Sequence, residues 1–123
     1  MIYGHGIDIA EVSRLKKAIE KSESFKEKVF TQLENDYCES KKSMYQSYAA
    51  RFAVKEAFLK ALGTGWSNGI AWKDIETVND ANGKPTVVLY AKAKELFESL
   101  GLKEIHVSIS HTKDIAIASV IIL

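Results

Sequence analysis

The longest regular signal in the chain is a helical run over residues 43–62, ending at Gly63, a residue free to take the left-handed conformation that closes a helix. A helix of about 20 residues is about 30 Å long, the width of a small domain, so the other elements must be arranged around it. On a wheel of about 100° per residue, Tyr45, Ala49, Phe52 and Leu59 share one stripe, and Glu56 falls inside it. A carboxylate thus occupies a position expected to face the core. Left unpaired there it would cost several kcal/mol, so it needs a cation, a set of donors or access to solvent. An ion pair with Lys60 one turn on, worth about 0.2–0.5 kcal/mol, would meet that need without any function, and the wheel leaves both readings open.

Strands and helices are expected on either side of this run. Residues 2–9 alternate and are rich in β-branched side chains, as in a strand ending near Asp8. Residues 11–22 place Val12, Leu15, Ala18 and Ile19 at helical spacing, with Arg14, Lys16, Lys17 and Lys21 elsewhere on the wheel. Thr31 is placed to cap a short helix with Glu34 at its third position, a capping box, and residues 39–43 read as a polar loop. Two strand-like runs, 74–78 and 86–90, flank Asp80-Ala81-Asn82-Gly83-Lys84-Pro85, whose Asn-Gly signals a hairpin. Residues 91–100 read as a helix closed by Gly101, and 104–110 and 115–122 as strands around a turn. The expected product is one α+β domain over residues 1–123, without repeats, linkers or low-complexity tracts.

With 17 Lys and Arg against 16 Asp and Glu, the net charge of +1 provides no overall field toward nucleic acid or an anionic membrane, and neither partner is expected. The lone Cys38 cannot form an internal disulfide, and the start of the chain lacks a basic region leading an apolar stretch. No apolar run reaches the about 18 residues of a membrane span. A cytoplasmic protein is expected.

Several residues sit poorly in a purely structural account. Asp8 shares a strand face with Gly4 and Gly6, while Ile7 and Ile9 point the other way. The glycines leave room for a ligand or another backbone, although Asp8 could equally cap the following helix. Two carboxylates without a Cys or His set suit a hard cation, Mg2+ above Zn2+, if the fold unites them. Lys41, Lys42, Arg51, Lys55 and Lys60 gather on and before the long helix, and a glycine loop follows it, a setting that could neutralise a polyphosphate; singly, each lysine reads as a surface residue. His111 follows the apolar parity of its strand and is open between a half-buried histidine and a site residue. Cys38 and Ser110 lack a nucleophile signature, and Trp66 and Trp72 read as packing or interface residues.

Taken together, Gly6-Ile7-Asp8-Ile9, the run Arg51-Phe52-Ala53-Val54-Lys55-Glu56-Ala57-Phe58 continued by Lys60-Ala61-Leu62-Gly63-Thr64-Gly65, and Val107-Ser108-Ile109-Ser110-His111-Thr112 resemble the holo-acyl-carrier-protein synthases. Phe30-Thr31-Gln32-Leu33-Glu34 and Gly83-Lys84-Pro85 extend the resemblance over nearly the whole chain. Departures are small: His5 stands where an aliphatic residue is common and Val54 where alanine is frequent.

The resemblance implies a small antiparallel sheet with a long central helix, assembled as a homotrimer with coenzyme A between protomers. It implies a 4′-phosphopantetheinyl transferase that uses coenzyme A and Mg2+ to convert an apo acyl carrier protein to its holo form, in support of fatty acid biosynthesis. Asp8 and Glu56 match the metal ligands. Arg51, Lys60, Gly63, Thr64, Gly65, Pro85, His111 and Thr112 match positions near coenzyme A. In the implied reaction the carrier serine attacks the β-phosphorus while Lys60 offsets charge on the leaving phosphate, and Glu56, a metal-bound water, Glu34 or Asp36 takes the serine proton. An acidic carrier would dock on the basic side of the first helix, at Arg14, Lys17 and Lys21. Two rivals are a binding module that has lost its chemistry and a transferase devoted to polyketide or peptide synthetase carriers.

Overall fold

In the computed structural model, which describes residues 1–66 and 68–123, strand β1 (Gly4–Glu11) leads into helices α1 (Val12–Lys21), α2 (Glu23–Val29), α3 (Gln32–Glu39) and the long α4 (Met44–Leu62). A 3-10 turn at Trp72–Asp74 precedes the hairpin of β2 (Ile75–Asn79) and β3 (Pro85–Leu89), then come α5 (Ala91–Ser99), β4 (Ile105–His111) and β5 (Ile115–Ile122). β1, β5 and β4 form one antiparallel sheet in that order, and β2 and β3 form a second. This is the expected α+β architecture.

Gly4 and Gly6 set the distance between β1 and α4. A Cβ placed on Gly4 would lie 1.8 Å from the carbonyl oxygen of Ala61, and one on Gly6 would lie 2.0 Å from that of Ala57. The space the glycines leave is therefore filled by helix backbone, one of the two occupants expected from the sequence. Ala10, Ala116 and Ala118 complete a floor of small buried residues beneath α4, which packs chiefly on β1 and β5. A close approach of this kind carries strand side chains to the flank of the helix.

β1 runs three residues past Asp8, which pairs with Ala118 in mid-strand. Asp8 thus does not cap α1: the N-cap is Glu11, without a side-chain cap bond, and the Val12 N–H donates instead to the Asp114 carbonyl at 2.9 Å. The capping box at Thr31 forms as expected, with Glu34 N–H donating to Thr31 Oγ1 at 3.2 Å and Thr31 N–H to Glu34 Oε1 at 3.0 Å. Gly63 closes α4 at φ 85°. Helix α2 has no counterpart in the sequence reading, because in Glu23–Val29 only Val29 is buried and no apolar stripe marks it.

α4 is buried on most of its circumference, from Tyr48 through Leu62. The expected core stripe is only partly realised: Ala49 and Leu59 are buried, whereas Tyr45, Phe52 and Glu56 lie half-buried along the helix's more open side. A helix enclosed by a sheet on one flank and by other helices and a hairpin elsewhere has no polar half against which a core stripe stands out. Lys55 is also not a surface lysine. Its fully buried Nζ donates to Glu34 Oε1 at 2.8 Å, to the Trp72 carbonyl at 3.1 Å and to the Ile75 carbonyl. Burial lowers its pKa, against the opposing pull of Glu34. Among the described residues, no helix is long and apolar enough to cross a membrane.

Candidate active site

The close packing of β1 on α4 brings Asp8 and Glu56 onto the same cleft, about 240 Å3, whose walls include Ala10, Arg14, Leu15 and Phe52. Asp8 is 17 % exposed, and its Oδ1 accepts from Lys60 Nζ at 3.1 Å. Lys60, 55 % exposed, also donates to the Ile7 carbonyl at 3.0 Å, so its ammonium sits against the strand. The ion pair available to Glu56 on the wheel is thus taken by Asp8. Glu56 Oε1 instead accepts from the indole Nε1 of Trp66 at 3.4 Å.

Glu11 also borders the cleft, but among the described residues no group of three or more His, Cys, Asp or Glu is placed to hold a metal ion, which leaves Asp8 and Glu56 as the candidate pair. That donor set fits Mg2+, which keeps waters and takes substrate phosphate oxygens beside one or two carboxylates, and it lacks the nitrogen and sulfur ligands zinc prefers. Cys38 is fully buried, and burial pushes its thiol up to about 12, so it offers no thiolate nucleophile at neutral pH.

A second cleft, about 200 Å3, lies between α4, the hairpin and the end of β4, and its walls include Tyr37, Arg51, Asn79, Pro85 and His111. Arg51 is only 4 % exposed. Its guanidinium lies 3.9 Å from the Tyr37 ring centroid, and one of its terminal nitrogens donates to Asn79 Oδ1 at 3.0 Å. Its buried Nε has no partner among the described residues. Lys41 Nζ approaches the same ring at 4.8 Å. A buried cation with a donor to spare is a site for an anion. His111 is exposed at the end of β4, so the half-buried reading does not hold.

The remaining expected residues are placed as follows. Gly63 and Gly65, at φ 85° and 62°, carry the chain away from α4, and a Cβ on either would meet nothing within 4 Å. Thr64 Oγ1 donates to the Gly65 carbonyl at 3.2 Å. Thr112 is occupied in the β4–β5 turn, its Oγ1 accepting from the N–H groups of Asp114 and Ile115, both at 3.2 Å. Neither the loop nor Thr112 lines the two clefts. Arg14, Lys17 and Lys21 lie exposed on α1, and Arg14 reaches the wall of the acidic cleft. Glu34 is excluded as the proton acceptor, because it is fully buried with Oε1 held by Lys55 and Thr31 and Oε2 by the Thr77 N–H at 2.9 Å. Asp36 is exposed, accepts from Gln32 Nε2 at 2.8 Å and does not line the acidic cleft.

Sequence reasoning passed over Tyr37 and Asn79 and gave Trp66 only a packing or interface role. Tyr37 lies fourteen residues before Arg51 and Asn79 twenty-eight after it, and Trp66 reaches Glu56 only through a loop containing several left-handed residues.

The sequence model of the 4′-phosphopantetheinyl transferase superfamily matches residues 4–119, and the chain belongs to that family. Among its relatives is the holo-[acyl-carrier-protein] synthase of Geobacter sp. (strain M21), 49 % identical over 123 residues, an alignment spanning 99 % of this chain and 98 % of that one. The crystal structure of the holo-[acyl-carrier-protein] synthase from Neisseria meningitidis superposes with a TM-score of 0.92 at 31 % identity, over 100 % of this chain and 99 % of its own. That of the Bacillus anthracis synthase, solved in complex with CoA (3′,5′-ADP), gives 0.81 at 36 % identity, over 99 % and 96 %.

Proposed function

We propose that the protein transfers the 4′-phosphopantetheine arm of coenzyme A to a serine of an apo acyl carrier protein, giving the holo carrier and 3′,5′-ADP in support of cytoplasmic fatty acid biosynthesis. The observation that carries this reading is the cleft holding Asp8 and Glu56 beside Lys60, in a chain matched to the transferase superfamily over residues 4–119.

Asp8 and Glu56 would hold Mg2+, which when bound supplies positive charge to the pyrophosphate of coenzyme A. The serine oxygen forms a bond to the β-phosphorus, and the bond to the 3′,5′-ADP oxygen breaks. Lys60 can leave Asp8 Oδ1 for the departing phosphate, since both partners border solvent. Glu56 or a water beside it takes the serine proton. In the second cleft, Arg51 with its free Nε, His111 and Pro85 suits the phosphorylated adenosine end, with Thr112 and the 63–65 loop as further contacts.

Glu56 and Arg51 are five residues apart, about 140° around a helix at 3.6 residues per turn, so their side chains leave α4 on different flanks. One coenzyme A is thus better served by the acidic cleft of one protomer and the basic cleft of another. The outer face of β1 supports such an assembly: Ile7 and Ile9 are 54 % and 60 % exposed and adjoin Asp8 and Lys60 in a shallow surface cavity. A homotrimer with sites between protomers, as the family resemblance implies, would join the two clefts in this way. On α1, Arg14, Lys17 and Lys21 suit an acidic carrier beside the cleft.

Incubation with coenzyme A, Mg2+ and apo acyl carrier protein, followed by mass spectrometry of the carrier, tests the proposal. The expected result is one phosphopantetheine increment per carrier; no increment on any of several acyl carrier proteins would overturn it, and loading confined to peptide or polyketide synthetase carriers would change the substrate class.

A further inference from the structure

Trp66 does more than fill space. Its indole packs against Trp72, with ring centroids 3.8 Å apart and planes tilted by 41°, and Trp72 in turn stacks on Phe52 at 5.0 Å with planes 22° apart. Phe52 lines the acidic cleft one helical turn before Glu56. The backbone at Trp72 is itself fixed, because its carbonyl accepts from the buried Lys55 Nζ. The residues flanking Trp66 bend the chain back over the helix, with positive φ at Gly63, Gly65, Asn68 and Gly69. The outcome is a polar contact from Nε1 to Glu56 Oε1 at 3.4 Å, at the end of a row of three packed rings.

A carboxylate on a half-exposed helix side chain has rotamer freedom that metal binding must remove, and a donor on one oxygen restricts it in advance. We propose that Trp66 is a positioning residue for Glu56, its indole N–H holding one carboxylate oxygen so that the other is presented to the cation in the cleft. The inference rests on the reading of Asp8 and Glu56 as the Mg2+ ligands.

Two variants separate this role from packing. Trp66→Phe keeps a ring for the stack and removes the donor. Trp72→Phe leaves Trp66 as the only indole, since the chain has 2 tryptophans. Mg2+ binding is measured by calorimetry on the protein saturated with coenzyme A, and tryptophan emission is followed in the same titration. A hydrogen bond to a charged group, longer at 3.4 Å than the usual range of about 2.7–3.2 Å, predicts that Trp66→Phe weakens Mg2+ binding by a factor of about 3 to 10. In Trp72→Phe, the emission of Trp66 should change with a midpoint matching the calorimetric one.

If Trp66→Phe bound Mg2+ within a factor of about 2 of the parent, a difference too small for a lost charge-assisted bond, the inference would fail. If Trp66→Phe proves too unstable to assay, the second variant decides: Trp66 emission that stays flat through saturation overturns the proposal. A parent protein that binds no Mg2+ in the presence of coenzyme A would overturn the metal reading and this inference with it, an outcome distinct from a parent that binds while Trp66→Phe binds equally well.

Discussion

The two clefts on either flank of α4 are built by opposite means. The acidic one depends on backbone: two glycines let β1 come so near the helix that Asp8, paired with Lys60, shares a cleft with Glu56, yet Lys60 and Glu56 stay partly open to water. The basic one depends on a side chain: Arg51 is almost wholly buried and fixed by Tyr37 and Asn79, with one donor left over. On the proposed mechanism, groups that exchange partners during the reaction profit from exposure, because Lys60 would move from carboxylate to phosphate without stranding a charge. A group that only has to recognise an anion profits from being fixed beforehand, since little ordering remains to be done on binding.

The sharpest way to break this contrast is Glu56→Gln. Turnover should fall on the order of 10³-fold, the several kcal/mol of charge stabilisation a held metal supplies, with coenzyme A affinity by calorimetry changed only a few-fold. Equal losses in both quantities would show that the acidic cleft also does the holding. Gly6→Ala comes next. A methyl 2.0 Å from the Ala57 carbonyl has to push strand from helix. That should cost about 3 kcal/mol and lower the melting temperature by about 10 °C, and a melt within a degree of the parent would refute the tight-packing account. Arg51→Ala should raise the KM for coenzyme A about 10- to 100-fold through lost charged hydrogen bonds while sparing kcat, and an effect on kcat alone would move Arg51 out of the binding role. The smallest effect is expected from Arg14→Glu with Lys21→Glu, about tenfold in KM for the carrier, shrinking as salt rises and leaving coenzyme A affinity alone. An unchanged KM for the carrier would remove α1 from the interface.

Local chemistry was readable in the sequence wherever a residue's role is fixed by its near neighbours. Thr31 and Glu34 form their capping box, Gly63 takes its left-handed turn, and Asn82-Gly83 turns the hairpin with Gly83 at φ 83°. The flank of α4 that carries Glu56 could not be read in the same way, because partners around most of the helix blur the periodic signal. That Asp8 and Glu56, 48 positions apart in the chain, border one cleft was suggested by family resemblance, and its physical means is the glycine contact. Lys55 looked like any surface lysine, since only tertiary packing reveals that Glu34 and two carbonyls await it.

That buried lysine bears on how the protein opens. Peeling α3 away from α4 would remove Glu34 and strand an ammonium in an apolar interior; pulling out the turn before β2 would take away its carbonyl acceptors. Neither piece can leave singly without incurring the cost of an uncompensated charge. α3, α4 and the start of the hairpin are therefore bound into one cooperative unit, and their amides should exchange with solvent deuterium together, at a common free energy, well after those of α2 and the chain ends have exchanged.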